Sequence, residues 1–221
     1  MKTPTNQVYD AVQLYYQGLS LPTICRQLRE KYNNFASIST VYDWVVKYSR
    51  IVMTATREFH PIVGDIWFAE ETTINTLGGQ LWVWDIIDEQ TLFLLASKVS
   101  INRAEQEFQT VLECACSKAL KTPRNIVAED LDSFLNRSEY LVALNYSINE
   151  LECFHRFQCV LEGRTKLVGD LKRFDKVVEF IDGWLVHYNY FRPQVTLGGK
   201  VPSETANLIY ASKAKKRIRT N

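Results

Sequence analysis

The spacing of hydrophobic and polar positions changes twice along the chain. From residue 6 to about residue 50, apolar side chains recur every three or four positions, the period of amphipathic helices. Between residues 64 and 99 the pattern becomes extended, and helical spacing returns from about residue 102 to residue 120. This order predicts three helices, then three strands, then a further helix.

The boundaries of the first three helices are marked by capping residues. Gly18 is suited to end the first helix, and Ser20 to cap a second helix that has Pro22 in its first turn. Either Ser37 or Ser39 can cap the third helix. Three short helices in this order are typical of a helix-turn-helix, whose last helix enters the major groove of DNA.

The third helix has one apolar and one polar face. Its core face is formed by Val41, Trp44, Val45 and Tyr48. On the opposite face Tyr42 and Asp43 are placed to reach base edges, and Lys47 and Arg50 to neutralise phosphates. The residues predicted to contact DNA here are Ser39, Thr40, Tyr42, Asp43, Lys47 and Arg50. A small helical bundle that binds another protein is the alternative.

The extended segment predicts an antiparallel meander. Residues 64–74, 80–87 and 91–99 are its strands, with a turn at Leu77-Gly78-Gly79 between the first two. After the following helix, residues 125–128 form a short apolar strand. Three antiparallel strands, a crossover helix and a strand parallel to the first give the ribonuclease H-like order, an α/β fold with a mixed sheet flanked by helices.

Composition and charge place the chain among globular proteins that can hold a polyanion. Of its 221 residues 46% are hydrophobic, and no apolar run approaches the roughly 18 residues of a membrane span. Its five cysteines lack the C-x-x-C spacing of a zinc site. The net charge of +1 is a cancellation, because residues 1–57 carry +4, residues 58–154 carry −10 and residues 155–221 carry +7. Basic ends around an acidic centre favour a nucleic-acid partner.

Several motifs resemble one known family. The segment Trp67-Phe68-Ala69-Glu70-Glu71-Thr72, the strand end at residues 126–130 and the segment at residues 149–155 are similar to conserved blocks of DDE-type insertion-sequence transposases and retroviral-type integrase cores. The most specific blocks are residues 180–193, which include His187-Tyr188-Asn189 and Arg192-Pro193, and residues 197–204. The resemblance extends from about residue 64 to residue 208, and the preceding helix-turn-helix is also that family's arrangement.

The resemblance implies a catalytic triad at Glu70, Glu129 and Glu152, where the family has Asp, Asp and Glu holding two divalent cations for DNA strand transfer. Each extra methylene moves a carboxylate by about 1 Å, whereas productive sites hold their groups within about 0.5 Å. The pocket is therefore expected to be degenerate. Alternatively, the metal ligands come from other aspartates, namely Asp65, Asp85, Asp88, Asp130 or Asp132.

Further departures from the family pattern cluster beside this pocket. Only 22 residues separate Glu129 from Glu152, Asp130 replaces a glycine, and Cys153 replaces an arginine. Basic residues that could bind phosphates follow the third carboxylate and occupy the C-terminal tail. They are Arg156, Arg164, Lys166, Lys215, Lys216 and Arg217.

These observations predict three parts: a helix-turn-helix domain at 1–52, a ribonuclease H-like domain at 53–208 and a basic tail at 209–221. The expected function is binding or organising double-stranded DNA as a homodimer, in the cytoplasm at the nucleoid, without a membrane and without a resident cofactor. An active transposase with a Glu-Glu-Glu triad, which would need Mg²⁺ or Mn²⁺, is the first alternative. A transcriptional regulator is the second.

Overall fold

The computed structural model describes residues 4–76, 78–128, 141–142 and 173–207. Element numbers below refer to these residues. Among them, no helix has both the length and the apolar character needed to cross a bilayer. Cys25, Cys114 and Cys116 form no disulfide with one another.

Three helices form the N-terminal part: α1 (Thr5–Tyr16), α2 (Leu21–Tyr32) and α3 (Ile38–Thr56). Ser20 caps α2, and its hydroxyl accepts a hydrogen bond from the Thr23 amide at 3.4 Å. Each helix packs on the other two, so the predicted three-helix arrangement is present.

The sheet has five strands in the order β3-β2-β1-β4-β5. The strands and the helix between them are β1 (Ile66–Thr76), β2 (Gly79–Asp88), β3 (Leu94–Ser100), α4 (Glu105–Ala119), β4 (Asn125–Val127) and β5 (Leu141–Val142). The first three strands are antiparallel, β4 lies parallel to β1, and β5 lies parallel to β4. The predicted meander, crossover helix and parallel strand are therefore confirmed.

Alternation along the strands divides the core into two layers. Trp67, Trp84 and Ile86 belong to the layer under α4. Phe68 and Val83 belong to the other layer, which contains the N-terminal helices and a long helix, α5 (Phe174–Tyr190). A 3₁₀ turn (Val195–Leu197) and a short helix, α6 (Pro202–Thr205), follow α5.

Helix α5 is anchored to the outer strand of the sheet by one amide. Asn189 is fully buried and accepts a hydrogen bond from the Leu94 amide at 2.9 Å, while its Nδ2 donates to the Leu94 carbonyl at 2.8 Å. This contact gives a physical reason for the asparagine in the segment His187-Tyr188-Asn189.

Helices α3 and α5 pack closely because Gly183 has no side chain. The Tyr16 ring occupies the space beside Gly183, and the Tyr16 hydroxyl is hydrogen-bonded to Ser49 Oγ at 2.9 Å. The predicted domain boundary after residue 52 lies inside α3, which continues to Thr56. The N-terminal helices thus share a core with the sheet and α5.

Candidate nucleic-acid interface and carboxylate row

The connection between α2 and α3 is short and has a capping residue at each end. Asn33 ends α2 in the left-handed region, with φ of 52°, which Asn tolerates better than most residues. Ser37 caps α3, because its Oγ accepts a hydrogen bond from the Thr40 amide at 3.2 Å. Of the two predicted caps, Ser37 is the one used.

The predicted polar face of α3 is partly solvent-accessible. Ser39, Asp43 and Lys47 are exposed at successive turns, and Thr40 is half-buried. The opposite face is buried at Val41, Val45 and Ser49. Trp44, predicted as a core residue, is partly buried and packs against the same cluster.

Two of the six predicted contact residues on α3 bind a carboxylate of α5. Tyr42 Oη donates to Glu179 at 2.8 Å, and an Arg50 guanidinium nitrogen lies 2.7 Å from the same carboxylate. Lys176 Nζ adds a third contact at 2.9 Å. We call Tyr42, Arg50, Lys176 and Glu179 the Glu179 cluster. Burial opposes the charge of Glu179, yet Lys176 and Tyr42 hold its pKa below the ordinary value.

A groove of about 490 Å³ runs between α3 and the start of α5 beside this cluster. Asp43, Lys47 and Arg50 lie along it together with Lys176. Lys176 was missed in the sequence, where nothing links it to α3. Its position three residues before Glu179 is the only local signal of an ion pair.

A second group of polar side chains lies on the sheet face that packs toward α5. Glu70 on β1 is directly opposite Asp85 on β2, and Asp85 is directly opposite Ser97 on β3. Thr72 lies two residues beyond Glu70 on the same face. We call these four residues the carboxylate row. Glu70, Thr72 and Asp85 are all at most 6% exposed.

Asp85 is in the most unfavourable environment of the row. Burial raises its pKa to about 7, and the nearby Ser97 hydroxyl offsets part of that rise. That hydroxyl is nevertheless outside hydrogen-bonding geometry: within the described ranges both Asp85 carboxylate oxygens, Thr72 Oγ1 and Ser97 Oγ have no hydrogen-bond partner. Asp85 was only one of several alternative ligands in the sequence.

Two other alternative aspartates have structural roles. Asp65 is exposed and forms an ion pair with Lys121 at 2.5 Å. Asp88 is buried and accepts hydrogen bonds from the Gly64 amide and from the amide and hydroxyl of Thr91. These contacts hold the loop before β1 and the turn after β2.

The remaining predicted positions lie outside the described residues. They are Glu129, Asp130, Asp132, Glu152, Arg156, Arg164, Lys166, Lys215, Lys216 and Arg217. In the part of the chain that is described, no three His, Cys, Asp or Glu side chains come together as a metal site. Glu70 and Asp85 are two described carboxylates that lie directly opposite each other on neighbouring strands.

The strand order and the crossover through α4 are those of a ribonuclease H-like fold. No protein-family model matches the chain, and no curated protein does. The chain is similar in structure to the HTLV-2 integrase catalytic core domain in complex with magnesium, at 14% identity and a TM-score of 0.44, covering 66% of this chain and 97% of that one. It is also similar to the trimeric form of that domain, at 13% identity and a TM-score of 0.47, covering 66% of this chain and 99% of that one. A third similar structure is the simian T-cell lymphotropic virus intasome in complex with PP2A regulatory subunit B56 gamma. The identity is 10% and the TM-score 0.49, and the match covers 89% of this chain and 74% of that one.

Proposed function

We propose that this protein binds double-stranded DNA through the exposed face of α3, and that its ribonuclease H-like domain no longer performs efficient strand transfer. The observation that carries the proposal is the exposed series Ser39, Asp43 and Lys47 on a helix capped by Ser37. In helix-turn-helix proteins the N-terminal residues of the second helix of the motif contact base edges.

The dimensions of this face suit the major groove. At about 1.5 Å per residue, the eight-residue step from Ser39 to Lys47 spans roughly 12 Å, comparable with the width of the groove. Ser39 and Thr40 lie in the first turn of α3, where the positive end of the helix dipole favours an anion. Lys47 lies two turns further on, where a cation is positioned to meet a phosphate of the DNA backbone.

Loss of strand transfer is supported by the surroundings of Glu70. A metal-dependent phosphoryl-transfer site needs ionised carboxylates within reach of the DNA. Glu70 is only 6% exposed, and its cross-strand neighbour Asp85 has a pKa raised to about 7. The glutamate side chain also displaces the carboxylate from the position that an aspartate would give it.

The proposal extends to assembly and location. A homodimer would present two α3 helices to DNA, as dimeric helix-turn-helix proteins do on paired half-sites. Association with the nucleoid would then follow from DNA binding itself. Light scattering of the purified chain would measure the oligomeric state, and mapping its sites on the genome would separate a regulator with few sites from a broadly distributed DNA organiser.

The central test is DNA affinity measured by fluorescence anisotropy on a 30-base-pair duplex over a series of salt concentrations in EDTA. We expect the affinity to fall steeply with salt, and Lys47→Ala to weaken it about three- to tenfold and to reduce the salt slope by about one. Lys200→Ala removes the same charge at an exposed position outside α3 and is the matched control. Equal affinities for the two variants, or no binding by the unmodified protein at low salt, would refute the proposal.

A different experiment distinguishes this proposal from the alternative of an active transposase. In that alternative, Glu70, Glu129 and Glu152 hold Mg²⁺ or Mn²⁺. The protein would be incubated with supercoiled plasmid and either metal, and nicked or joined products would be resolved on a gel. We expect the plasmid to be bound but to remain intact. Metal-dependent nicking that Glu70→Gln abolishes would establish the enzyme instead.

A further inference from the structure

The Glu179 cluster connects α3 to α5 through a single carboxylate whose two oxygens are both bound. Tyr42 Oη and Lys176 Nζ lie 2.8 Å and 2.9 Å from Glu179 Oε2. The Arg50 guanidinium donates to the other oxygen, Oε1, at 2.7 Å. A guanidinium, an ammonium and a phenol hydroxyl are also the donors with which proteins bind phosphate groups. Glu179 therefore occupies a place that suits an external phosphate.

The two cations of the cluster are more accessible than the carboxylate between them. The side chain of Arg50 is 72% exposed and that of Lys176 is 42% exposed, whereas that of Glu179 is 19% exposed. Ion pairs with exposed partners are weak, because water and salt screen them and two long side chains lose freedom. Arg50 and Lys176 can thus exchange Glu179 for another anion by turning their side chains.

The cluster lies beside the face of α3 that is proposed to bind DNA. Arg50 follows Lys47 by three residues, so the two side chains are neighbours on one side of the helix, about 4.5 Å apart along its axis. Lys176 reaches the same groove from α5. A DNA backbone that contacts Lys47 therefore comes within one helical turn of Arg50.

Two other carboxylates border Arg50 and Lys176 from a neighbouring groove. Asp175 forms an ion pair with Arg173 at 3.0 Å. Burial, and after it the nearby Glu179, raise the pKa of Asp182. Lys176 and Tyr42 hold the pKa of Glu179 below its ordinary value despite burial. Glu179 is thus the carboxylate that binds both cations.

We propose that Arg50 and Lys176 form a binding site for a phosphate of the DNA backbone, and that Glu179 occupies this site in the free protein. DNA must displace the carboxylate from the two cations before they can bind a phosphate. Glu179 therefore lowers the affinity for DNA, and Lys176 extends the DNA-binding surface from α3 to α5. This inference rests on the proposed function, since it concerns the same DNA.

The test is the DNA affinity of the full-length chain, measured by fluorescence anisotropy on a 30-base-pair duplex over a series of salt concentrations. Glu179→Gln keeps the size of the side chain and removes its charge. We expect it to raise the affinity about three- to tenfold and to steepen the salt dependence by about one phosphate contact. Glu113→Gln removes the same charge at an exposed position of α4, on the other side of the sheet, and is the matched control. We expect it to change the affinity less than twofold.

A double-mutant cycle separates occupation of the site from a general effect of charge. Removing any negative charge near DNA raises affinity through the field of the protein, and such effects of two substitutions add. If Glu179 occupies the site, Lys176→Ala should weaken binding at least threefold more in the Glu179→Gln protein than in the unmodified protein. Circular dichroism of each variant confirms that it is folded.

The proposal is overturned if Glu179→Gln leaves the affinity unchanged, or if Glu113→Gln raises it as much. It is also overturned if Lys176→Ala has the same effect with and without Glu179→Gln, because Glu179 would then act through its charge alone. The proposed function fails by a separate result, namely equal affinities of Lys47→Ala and Lys200→Ala. Absence of DNA binding at low salt, by both the unmodified protein and Glu179→Gln, would refute both.

Discussion

Replacing Gly183 by alanine is the sharpest test of how the N-terminal helices are held on the rest of the molecule. A Cβ built at this position overlaps Tyr16 Oη, lies 2.7 Å from Tyr16 Cζ and is 3.0 Å from Ser49 Oγ. The ring has little room to move, since Tyr16 is 2% exposed and is stacked on His187 at 5.3 Å and against Tyr15 at 5.1 Å.

Three contributions decide the size of the effect. Overpacking a well-filled core costs about 1–3 kcal/mol. Displacing the Tyr16 hydroxyl from Ser49 costs about 1–2 kcal/mol, because both groups are buried. Alanine regains about 1 kcal/mol over glycine as a helix former. We therefore expect Gly183→Ala to lower the free energy of unfolding by about 1–4 kcal/mol.

This effect and its cause are measured by urea denaturation of the unmodified protein, Gly183→Ala, Tyr16→Phe and the double variant. Tyr16→Phe removes the atom nearest the new methyl group, so the double variant should lose less stability than the sum of the two single variants, by about 1 kcal/mol or more. If Gly183→Ala instead stabilised the protein by about 1 kcal/mol, as at an exposed helical position, Tyr16 would not occupy the space beside the glycine. The close packing of α3 on α5 would then be refuted.

Two further predictions concern buried polar groups of the sheet. Asn189→Leu should lower the free energy of unfolding by about 2–4 kcal/mol in urea denaturation, because it leaves the buried amide and carbonyl of Leu94 unpaired; a loss below about 0.5 kcal/mol would contradict this. Burial raises the folded-state pKa of Asp85 to about 7 from 3.8, so in EDTA this residue's contribution to stability is present at low pH and is lost as the pH rises toward 7. Unmodified protein should thus lose about 2 kcal/mol more than Asp85→Asn between pH 5 and pH 8, and parallel stability profiles for the two proteins would show that Asp85 does not titrate in this range.

Local elements were predictable where the sequence pattern is strong. The alternation around Trp67 and Trp84 identified β1 and β2, and glycine at the turn identified the hairpin. Thr76 pairs with Gly79, and the antiparallel register that starts there brings Glu70 opposite Asp85. That juxtaposition could therefore have been deduced from the turn, since hairpin length fixes register.

Contacts between distant elements were not predictable in this way. The Glu179 cluster joins side chains 129 and 137 residues apart, and no periodicity relates Arg50 or Tyr42 to α5. The position of Tyr16 beside Gly183 likewise depends on how three helices meet. In a single sequence, a glycine within a helix can indicate a residue that weakens the helix or a close contact between two helices, and the sequence does not distinguish the two.

The amide of Asn189 has a consequence for how the molecule meets other chains. Among the described strands, β3 is the outer one at one end of the sheet, and an outer strand is a template on which a foreign strand can pair. At Leu94 the side chain of Asn189 presents one acceptor and one donor to the strand backbone, as the peptide group of an added strand would. The edge is therefore already occupied at this point, and two copies of the protein cannot join their sheets edge to edge through Leu94.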